Sequence, residues 1–368
     1  MQIKDIKTDC LQFLGYIPCA PNKNYGVHCI ESNGSTCKFY QPTGKRILII
    51  KLGAAGDVIR TTPILTALRK KYNNAHIAWL THFPELVQVK NDNENGVDLV
   101  LNYDEKSIPV IKNCDYDIII NLDKDPYACA LVKEKMKTKE IYGYTLVDNK
   151  PFPVNELAVP KYITGVFDDI SKANTKSYLE ELFEICGFKF NKEEYILPNF
   201  ERAKEINIDR TKKVIGLNTG CGGRWTSRLW PFDYWLELIE LLKKNNYEVV
   251  LLGGPEEDDK NLVLQEKTDV KYFGVKSLKK FIGIMNEVDV VVTSVTMAMH
   301  IAIGLKKQLV LMNNIFNSNE FELYGRGLIV EPEKECKCYF RPTCINDEYK
   351  CINYIYPQKI FDTIKSLV

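Results

Sequence analysis

Residues 46–57, RILIIKLGAAGD, decide the fold class. An apolar run of strand length reaches Lys51, and a turn of small residues follows it directly. Apolar side chains then recur at helical spacing as far as Tyr72, and Thr62 followed by Pro63 predicts an N-cap and the first residue of the main helix. Strand, turn and helix in this order, with strands that are apolar throughout, predict a parallel sheet covered by helices on both faces.

The same alternation occurs twice along the chain. Further strand-like runs lie at 76–80, 97–101 and 116–121, and a second series begins with KVIGL at 213–217. We therefore predict an α/β protein with two Rossmann-like sheets, whose ligands bind in a cleft beyond the carboxyl ends of the strands. The predicted organisation is a Cys-rich appendage at 1–44, a first Rossmann-like domain at 45–195, a second Rossmann-like domain at 196–330, and a Cys-rich tail with a terminal helix at 331–368.

Composition excludes several classes of protein. The chain has 368 residues, of which 45% are hydrophobic and 26% charged, as in ordinary globular proteins. Its 49 basic and 48 acidic residues give a net charge of +1, which does not favour a nucleic-acid partner. The sequence has no apolar run of about 18 residues and no signal-peptide pattern, so we predict a cytoplasmic protein without a transmembrane segment. Peripheral attachment at the inner face of the membrane stays open.

Asp57 ends the small-residue turn after the first strand. A loop in that position faces the predicted cleft, where a carboxylate can take the proton of an acceptor hydroxyl. The alternative is a first-turn or capping acid that stabilises a helix and has no further role. The turn is not G-x-G-x-x-G, so it gives little support to NAD or FAD binding.

A loop rich in glycine, arginine and tryptophan follows the strand at 213–217. Its glycines expose backbone N–H groups, its hydroxyl side chains add donors, and its arginines can pair with phosphate oxygens. We prefer diphosphate binding to the alternative of a flexible surface loop. The residues assigned to this role are Thr219, Gly220, Gly222, Gly223, Arg224 and Arg228.

Two other segments also follow strands. SVTMAMH at 294–300 leads into a helix whose first N–H groups suit an anion, with Thr296 as a cap and His300 one turn further on. GGPEE at 253–257 places Glu256 or Glu257 where an acid often holds ribose hydroxyls. The alternatives are a structural histidine and first-turn acids.

Together these motifs resemble glycosyltransferase family 9, which contains the ADP-heptose heptosyltransferases. The resemblance lies in ILIIKLGAAGDVIRTTPIL, the RW-x3-LWP loop, LLGGPEE and TMAMHIAIGLKK, and covers roughly residues 45–330. It implies a GT-B fold, with the nucleotide-sugar donor on the second domain and the acceptor on the first. It also implies inverting transfer without a catalytic divalent metal, and it favours ADP-heptose as donor.

The resemblance gives roles to individual residues. Asp57 matches the proposed catalytic base, Arg228 the basic phosphate contact and Thr219 a hydroxyl of the phosphate loop. Either Glu256 or Glu257 matches the acid that contacts ribose. If Asp57 is not the base, Asp123 at the end of the strand IIINLD is the next candidate.

One matched segment departs from the family pattern. Thr296, Met297 and His300 match residues near the diphosphate and the donor sugar. Val295, however, stands where the family has Asp, and Met297 stands where it has Gly. Since that Asp is associated with the sugar, the resemblance supports the fold more strongly than it supports heptose.

The cysteines form two groups outside these motifs. Clustered cysteines in a reducing compartment favour metal or redox chemistry, and four thiolates suit a closed Zn or Fe site. The spacing lacks paired C-x2-C knuckles, so free buried thiols or disulfides formed on oxidation are the alternatives. Some relatives of the heptosyltransferases that modify autotransporter proteins carry cysteine-bound iron, so the resemblance favours a structural Zn or Fe, in one site or two. The cysteines are Cys336, Cys338, Cys344 and Cys351 near the end, and Cys10, Cys19, Cys29 and Cys37 near the start.

The predicted function is an inverting glycosyltransferase. The donor is a nucleotide sugar, and the acceptor is a lipopolysaccharide core, another surface glycan or a protein. The alternatives are a transferase that uses another nucleotide sugar, and a non-catalytic metal- or redox-sensing protein on the same scaffold. A dinucleotide oxidoreductase ranks third because the glycine fingerprint is missing.

Overall fold

A computed structural model describes residues 2–90, 93–203 and 206–368. These residues form two compact units. The first comprises the described residues of Met1–Leu52, Ile64–Pro84 and Val89–Asn155. The second comprises those of Gly53–Pro63, Glu85–Gln88 and Glu156–Val368.

The units differ from the predicted boundaries in three places. The change of unit falls after Asn155 and not at 195, and the segments Glu85–Gln88 and Gly53–Pro63 belong to the second unit, although Gly53–Pro63 follows the first strand. Two contacts inside the second unit explain this. The Arg60 guanidinium carbon lies 3.4 Å from the centroid of the Tyr178 ring, and Ile196 N donates to Thr62 Oγ1 at 2.9 Å.

The first unit contains a sheet of six described strands in the order β3-β2-β1-β4-β5-β6. All neighbouring pairs are parallel except β5 and β6, which are antiparallel. Residues on β1 such as Leu48 and Ile50 are buried with helix side chains such as Leu131 and Val132. The strands are β1 (Arg46–Ile50), β2 (His76–Thr81), β3 (Leu99–Asn102), β4 (Ile118–Asn121), β5 (Glu140–Val147) and β6 (Lys150–Pro153).

Thirteen α-helices occur in the described residues. Their apolar spacing explains most of them, and Ser177 and Asp125 cap two of them through their side chains. The helices are α1 (Ala20–Tyr25), α2 (Ala55–Thr61), α3 (Ile64–Lys71), α4 (Ser107–Asn113), α5 (Pro126–Glu134), α6 (Val159–Thr164), α7 (Asp168–Ala173), α8 (Tyr178–Ile185), α9 (Phe232–Lys244), α10 (Asp258–Thr268), α11 (Leu278–Met285), α12 (Met297–Gly304) and α13 (Pro357–Leu367).

The second unit contains a parallel sheet of six described strands in the order β12-β11-β10-β7-β8-β9. Counted within its unit, this is the doubly wound order of the first sheet. The strands are β7 (Val214–Asn218), β8 (Glu248–Leu252), β9 (Lys271–Tyr272), β10 (Val290–Ser294), β11 (Gln308–Met312) and β12 (Gly327–Val330). Two doubly wound sheets confirm the predicted α/β fold class.

The terminal helix α13 belongs to the core of the second unit. Ile360, Phe361 and Ile364 are buried in the same cluster as Trp230 and Trp235. The two indole rings meet edge to face with centroids 4.7 Å apart, and Trp230 Nε1 donates to Ile355 O at 2.8 Å. The tail from 331 therefore completes this unit.

The predicted cap at Thr62 is wrong. Residues Ala55–Thr61 form helix α2, and Thr62 lies at its end, where its hydroxyl donates to Ile59 O at 2.7 Å. The hydroxyl oxygen also accepts from Ile196 N, so this threonine joins two segments of the second unit. Among the described helices, none is long and apolar enough to cross a membrane.

Gly143 provides a test of the first sheet. Its φ is +94°, and a Cβ atom there would stand 1.8 Å from Asn121 O on the neighbouring strand. We expect Gly143→Ala to lower the free energy of unfolding by about 3 kcal/mol or more, because backbone strain and a backbone clash act together. Chemical denaturation of the purified variant measures this.

Gly325→Ala is the matched control. Gly325 has a similar φ of +70°, but nothing lies within 4 Å of the added carbon. It should lose only about 1 kcal/mol from backbone strain. Equal losses in the two variants would show that the close approach of β4 and β5 carries no cost.

Candidate functional site

The loop after β7 is tied to the end of β10 by one amide side chain. Asn218 Nδ2 donates to Thr293 Oγ1 at 2.9 Å and reaches Thr296 Oγ1 at 3.4 Å and Gly220 O at 3.3 Å. Ser294 Oγ also donates to Gly220 O, at 3.4 Å. The two predicted anion segments therefore lie side by side in the second unit.

Thr219 is buried, and its hydroxyl group donates a hydrogen bond to another side chain of the protein. Thr219 Oγ1 donates to Asn261 Oδ1 at 2.6 Å, and Lys260 Nζ donates to Thr219 O at 2.6 Å. Burial lowers the pKa of Lys260, against the opposite effect of Glu257. Lys260 therefore places a positive charge beside the loop after β7. The hydrogen bond from Thr219 to Asn261 holds the backbone of that loop in place.

Two carboxylates lie against the glycines of this loop. A Cβ atom on Gly220 would be 1.9 Å from Glu257 Oε1, so a larger residue there would displace that side chain. Glu257 Oε2 also accepts from Gly254 N at 2.9 Å. Glu256 is exposed, and one of its oxygens would lie 3.1 Å from a Cβ atom on Gly223. The structure thus brings both predicted ribose-contacting acids to the phosphate loop.

Arg228 is a buried cation. It is 6% exposed, and its Nη2 donates to Cys221 O at 3.0 Å. Its guanidinium lies 5.5 Å from the ring centroid of Trp225 and 5.4 Å from that of Phe316. Burial lowers the pKa of Arg228 to about 10, which leaves the group charged at neutral pH.

No described residue supplies Arg228 with an acidic partner, and its buried Nε has no acceptor among them. A buried charge without a counter-ion is costly, and proteins normally pair such a group or use it to bind a ligand. The site therefore has the chemistry to bind an anion. Arg224, which lies over the Trp225 ring at 5.4 Å, is exposed beside it.

The tail holds the short helix that carries Arg228. Residues Thr226–Arg228 form a single 3-10 turn. Ser227 N donates to Pro342 O at 3.0 Å, and Ser227 Oγ donates to Arg341 O at 2.7 Å. Asn314 Nδ2 donates both to Ser227 O at 3.0 Å and to Cys351 Sγ at 3.3 Å. The cysteine-rich tail thus fixes the backbone of the arginine.

Helix α12 begins at the same place. Thr296 is its N-cap, and its Oγ1 accepts from Ala298 N at 3.2 Å. Val295 and Met297 are half-buried on either side of the cap. The predicted cap is therefore present, with apolar side chains flanking it.

Asp57 lies in the first turn of α2, within the second unit. Its Oδ1 forms an ion pair with Arg60 Nη2 at 2.7 Å, and the Asp57 side chain is 33% exposed. Burial disfavours the Arg60 charge, but the Asp57 carboxylate together with other nearby acidic groups outweighs it, and the pKa of Arg60 is raised. The ring of Tyr178 covers the guanidinium at 3.4 Å. These contacts fix the orientation of the carboxylate while leaving it partly open.

His300 is buried where α2 meets α12. A Cβ atom on Gly56 would be 2.5 Å from His300 Cδ2, so the two helices touch at this glycine. The Nδ1 atom of His300 lies 3.4 Å from Tyr195 Oη. Burial, with a smaller effect of Arg60, lowers the pKa of His300 to about 3, so the ring is neutral. At 7% exposed, the side chain sits beneath the site surface and spaces the Asp57 helix from the Thr296 helix.

Asp123, the second candidate base, lies in the first unit. Its Oδ2 is 3.3 Å from Lys51 Nζ and accepts from Leu52 N at 3.0 Å. The carboxylate therefore holds the end of β1 in place. These bonds give Asp123 a structural role at the end of β1, and its role as base stays a prediction.

The cysteine groups differ in arrangement. In the tail, Cys351 Sγ lies 2.9 Å from Cys336 Sγ, and Cys338 Sγ lies 3.5 Å from Cys344 Sγ. The hydrogen bond between Cys336 and Cys351 raises the pKa of Cys336 and lowers that of Cys351 to about 6. The other group, Cys10, Cys19, Cys29 and Cys37, lines one pocket of the first unit.

Within residues 2–90, 93–203 and 206–368, no group of three or more His, Cys, Asp or Glu side chains is arranged to hold a metal ion. The thiols of the tail stand as two pairs. Metal binding by either group stays a prediction.

Three functional side chains are absent from the sequence-based assignment. Arg60 is three residues after Asp57 on one helix, and that spacing was a usable signal for an ion pair. Lys260 and Asn261 are hidden in the polar run after GGPEE, where nothing distinguishes them from solvated surface residues. Only the folded loop reveals their contacts with Thr219.

Comparison with known proteins adds independent findings. The chain is 24% identical over 230 residues to lipopolysaccharide heptosyltransferase 3 of Escherichia coli K12, covering 55% of this chain and 62% of that enzyme. The match thus spans less than two thirds of that relative.

Solved structures of low identity share the fold. A family 9 glycosyltransferase from Veillonella parvula superposes with a TM-score of 0.66 and 19% identity, covering 88% of this chain and 97% of that one. The E. coli ADP-heptose lipopolysaccharide heptosyltransferase II has a TM-score of 0.60 and 15% identity, with coverages of 88% and 98%. These matches confirm the GT-B fold predicted from the resemblance.

The sequence model of glycosyltransferase family 9 (heptosyltransferase) matches residues 107–349, about two thirds of the chain. The range contains the Gly/Arg/Trp loop, GGPEE and the segment at 294–300, whereas the turn that ends at Asp57 precedes it. The chain belongs to glycosyltransferase family 9.

Proposed function

We propose that this chain is an inverting glycosyltransferase that moves a sugar from a nucleoside-diphosphate donor to a hydroxyl group. One observation carries the proposal: Arg228 is a buried guanidinium without an acidic partner in the described residues, next to a glycine loop. A diphosphate supplies the missing negative charge, and charge-assisted bonds from arginine are among the strongest that proteins form.

The donor lies across the loops of the second unit. Its diphosphate takes bonds from Arg228, from the exposed Arg224 and from backbone amides at Gly220. The helix start at Thr296 adds the positive end of a helix dipole. On the nucleoside side, Glu256 or Glu257 accepts hydrogen bonds from ribose hydroxyls. These positive charges stabilise the negative charge that develops on the leaving diphosphate. We therefore expect transfer without a catalytic divalent metal.

ADP-heptose is the favoured donor. Support comes from the E. coli ADP-heptose heptosyltransferase that shares the fold and from the matching motifs. Val295 and Met297 replace the family's Asp and Gly at the sugar end, which makes another nucleotide sugar the alternative. The acceptor hydroxyl belongs to a lipopolysaccharide core, another surface glycan or a protein.

Transfer is a single displacement. The acceptor oxygen forms a bond to the anomeric carbon as the bond from that carbon to the diphosphate oxygen breaks, which inverts the configuration. Asp57 accepts the hydroxyl proton, and its pair with Arg60 aims the carboxylate. His300 positions α2 against α12.

A second function has one observation in its favour. The sulfurs of Cys351 and Cys336 lie 2.9 Å apart, and Asn314 joins the Cys351 sulfur to the backbone of Ser227. Oxidation of this pair would act on the Arg228 loop, so a redox sensor is the alternative. A structural Zn or Fe ion at the tail cysteines would stabilise the same loop.

Ligand-induced thermal stabilisation tests donor binding. We expect ADP to raise the melting temperature selectively within a panel of ADP, GDP, UDP, CDP and NAD. A ligand at about 100 times its dissociation constant stabilises the native state by about 2.7 kcal/mol. Arg228→Gln should weaken this binding about 10- to 100-fold, because a charge-assisted bond is lost.

The same variant should not destabilise the free protein. Since the Arg228 charge is buried without an acidic partner, its removal leaves the melting temperature without ligand unchanged or higher. Arg224→Gln, at the exposed neighbour, is the comparison and should weaken binding less. Full ADP binding by Arg228→Gln, or no stabilisation of the parent chain by any diphosphate, would overturn the proposal.

Asp57→Asn tests the base. The amide cannot take a proton, so transfer should fall about 100-fold or more while ADP binding changes less than about twofold. The assay follows labelled sugar from the donor into whichever acceptor fraction the parent chain labels. If Asp57→Asn transfers normally and Asp123→Asn does not, the base is Asp123.

The buried neutral His300 predicts a pH effect on stability. In the unfolded chain His300 becomes protonated below about pH 6.5. In the folded protein its pKa is about 3, so the ring stays neutral until the pH approaches that value. Stability from this group is therefore complete above pH 6.5 and falls as the pH drops towards 3. His300→Gln should flatten the dependence of unfolding free energy on pH by up to about 1.4 kcal/mol per pH unit. Chemical denaturation of both chains over this pH range measures the slope.

A further inference from the structure

The N-terminal segment, residues 2–44, has almost no hydrophobic core. Among its described residues only Pro21 is buried, and its regular structure is one short helix, Ala20–Tyr25, and the 3-10 turn Ile3–Asp5. A segment of this size cannot be held in one conformation by burial alone. Segments of this kind usually depend on disulfides or a metal centre.

The fold of this segment brings together four cysteines that are spread over residues 10–37. Cys10 forms an isolated bridge with Pro42, and Cys19 immediately precedes α1. Cys29 and Cys37 lie across a reverse turn, where Cys37 N donates to Cys29 O at 3.0 Å. Residues distant in sequence thus converge without a core to draw them together.

All four side chains line a single cavity of about 300 Å³. Apolar residues such as Ile6, Phe13 and Val27 form much of the remaining wall, and Lys7 and His28 are also at its edge. The four thiols are each partly exposed, and none is in a disulfide. The cavity is therefore the feature that the four cysteines share.

The size of the cavity indicates the occupant. Sulfur ligands lie about 2.3 Å from a single zinc ion, so four of them close around it and leave no space. Here the four cysteines line a cavity about ten times the roughly 30 Å³ that one water molecule takes up, which is more space than one ion needs. Accordingly, no three of these side chains are arranged for a single ion in the described part of the chain. A polynuclear centre fits four thiolates spread around a larger space.

We propose that Cys10, Cys19, Cys29 and Cys37 bind a [4Fe–4S] cluster, for which four cysteine thiolates are the usual ligand set. The cluster links the parts of the segment that carry the four cysteines. Its binding free energy stabilises the folded conformation, which the segment cannot maintain by burial alone. The apolar wall shields it from water, and Lys7 and His28 offset its negative charge. The site lies in the first unit, and the proposal does not depend on the transferase assignment.

Metal and sulfide analysis of the full untagged chain, purified without oxygen, tests this. We expect about four iron atoms and four acid-labile sulfides per chain, with the broad visible absorbance of a cluster that dithionite bleaches. Limited proteolysis gives a second readout, because chelation of the iron should make residues 2–44 sensitive to cleavage while the rest of the chain stays resistant.

Matched variants separate the two cysteine groups. Cys19→Ser with Cys29→Ser should remove the sulfide and the visible absorbance, whereas Cys336→Ser with Cys351→Ser should retain both. One zinc per chain without sulfide would overturn the cluster in favour of a single ion, and so would iron without sulfide. Absence of any metal from the parent chain, or sulfide lost only with the tail variant, would also overturn it.

Discussion

The second unit contains a buried positive charge, Arg228, that has no acidic partner among the described residues. Burying a guanidinium costs several kcal/mol unless hydrogen bonds and charges compensate. Here the compensation is partial: one carbonyl from Cys221 and two aromatic faces from Trp225 and Phe316. The surrounding contacts keep the group buried despite this deficit. The 3-10 turn at Thr226–Arg228 is held by the tail and cannot swing into solvent without losing those bonds.

The fold follows closely from the sequence because its strongest signals are local. Apolar strands such as β1 and β7 are buried on both faces, so their residues show no alternation and stand out from the polar loops. Likewise, a chain with two such series can satisfy them only as two doubly wound sheets. The antiparallel strand β6 carries Pro151 and Pro153, which disguise it as a loop, and sequence patterns alone miss it.

The candidate site is harder to predict from sequence, because the residues that contact one another in it are distant along the chain. The composition of its loop predicts a phosphate-binding role for Arg228. Its burial, however, depends on Phe316 and on the tail, which lie far along the chain. Thr219 was assigned to phosphate, but its hydroxyl serves Asn261. The position of Asp57 in the second unit could not be foreseen either, because the residue directly follows a strand of the first. Sequence spacing predicts which loops form the site. It does not predict which of their polar atoms already form hydrogen bonds within the protein.

The bonds between the tail and the arginine loop also bear on how the protein is made. Ser227 is held by Arg341 and Pro342, and Trp230 donates to Ile355. A ribosome delivers the chain from its N-terminus, and domains generally fold in that order. The sheet of the first unit can form early, but the loop that carries the unpaired charge has no support until residues 341–355 have left the exit tunnel. The candidate site is therefore completed only after these tail residues have been made, later than the sheet of the first unit.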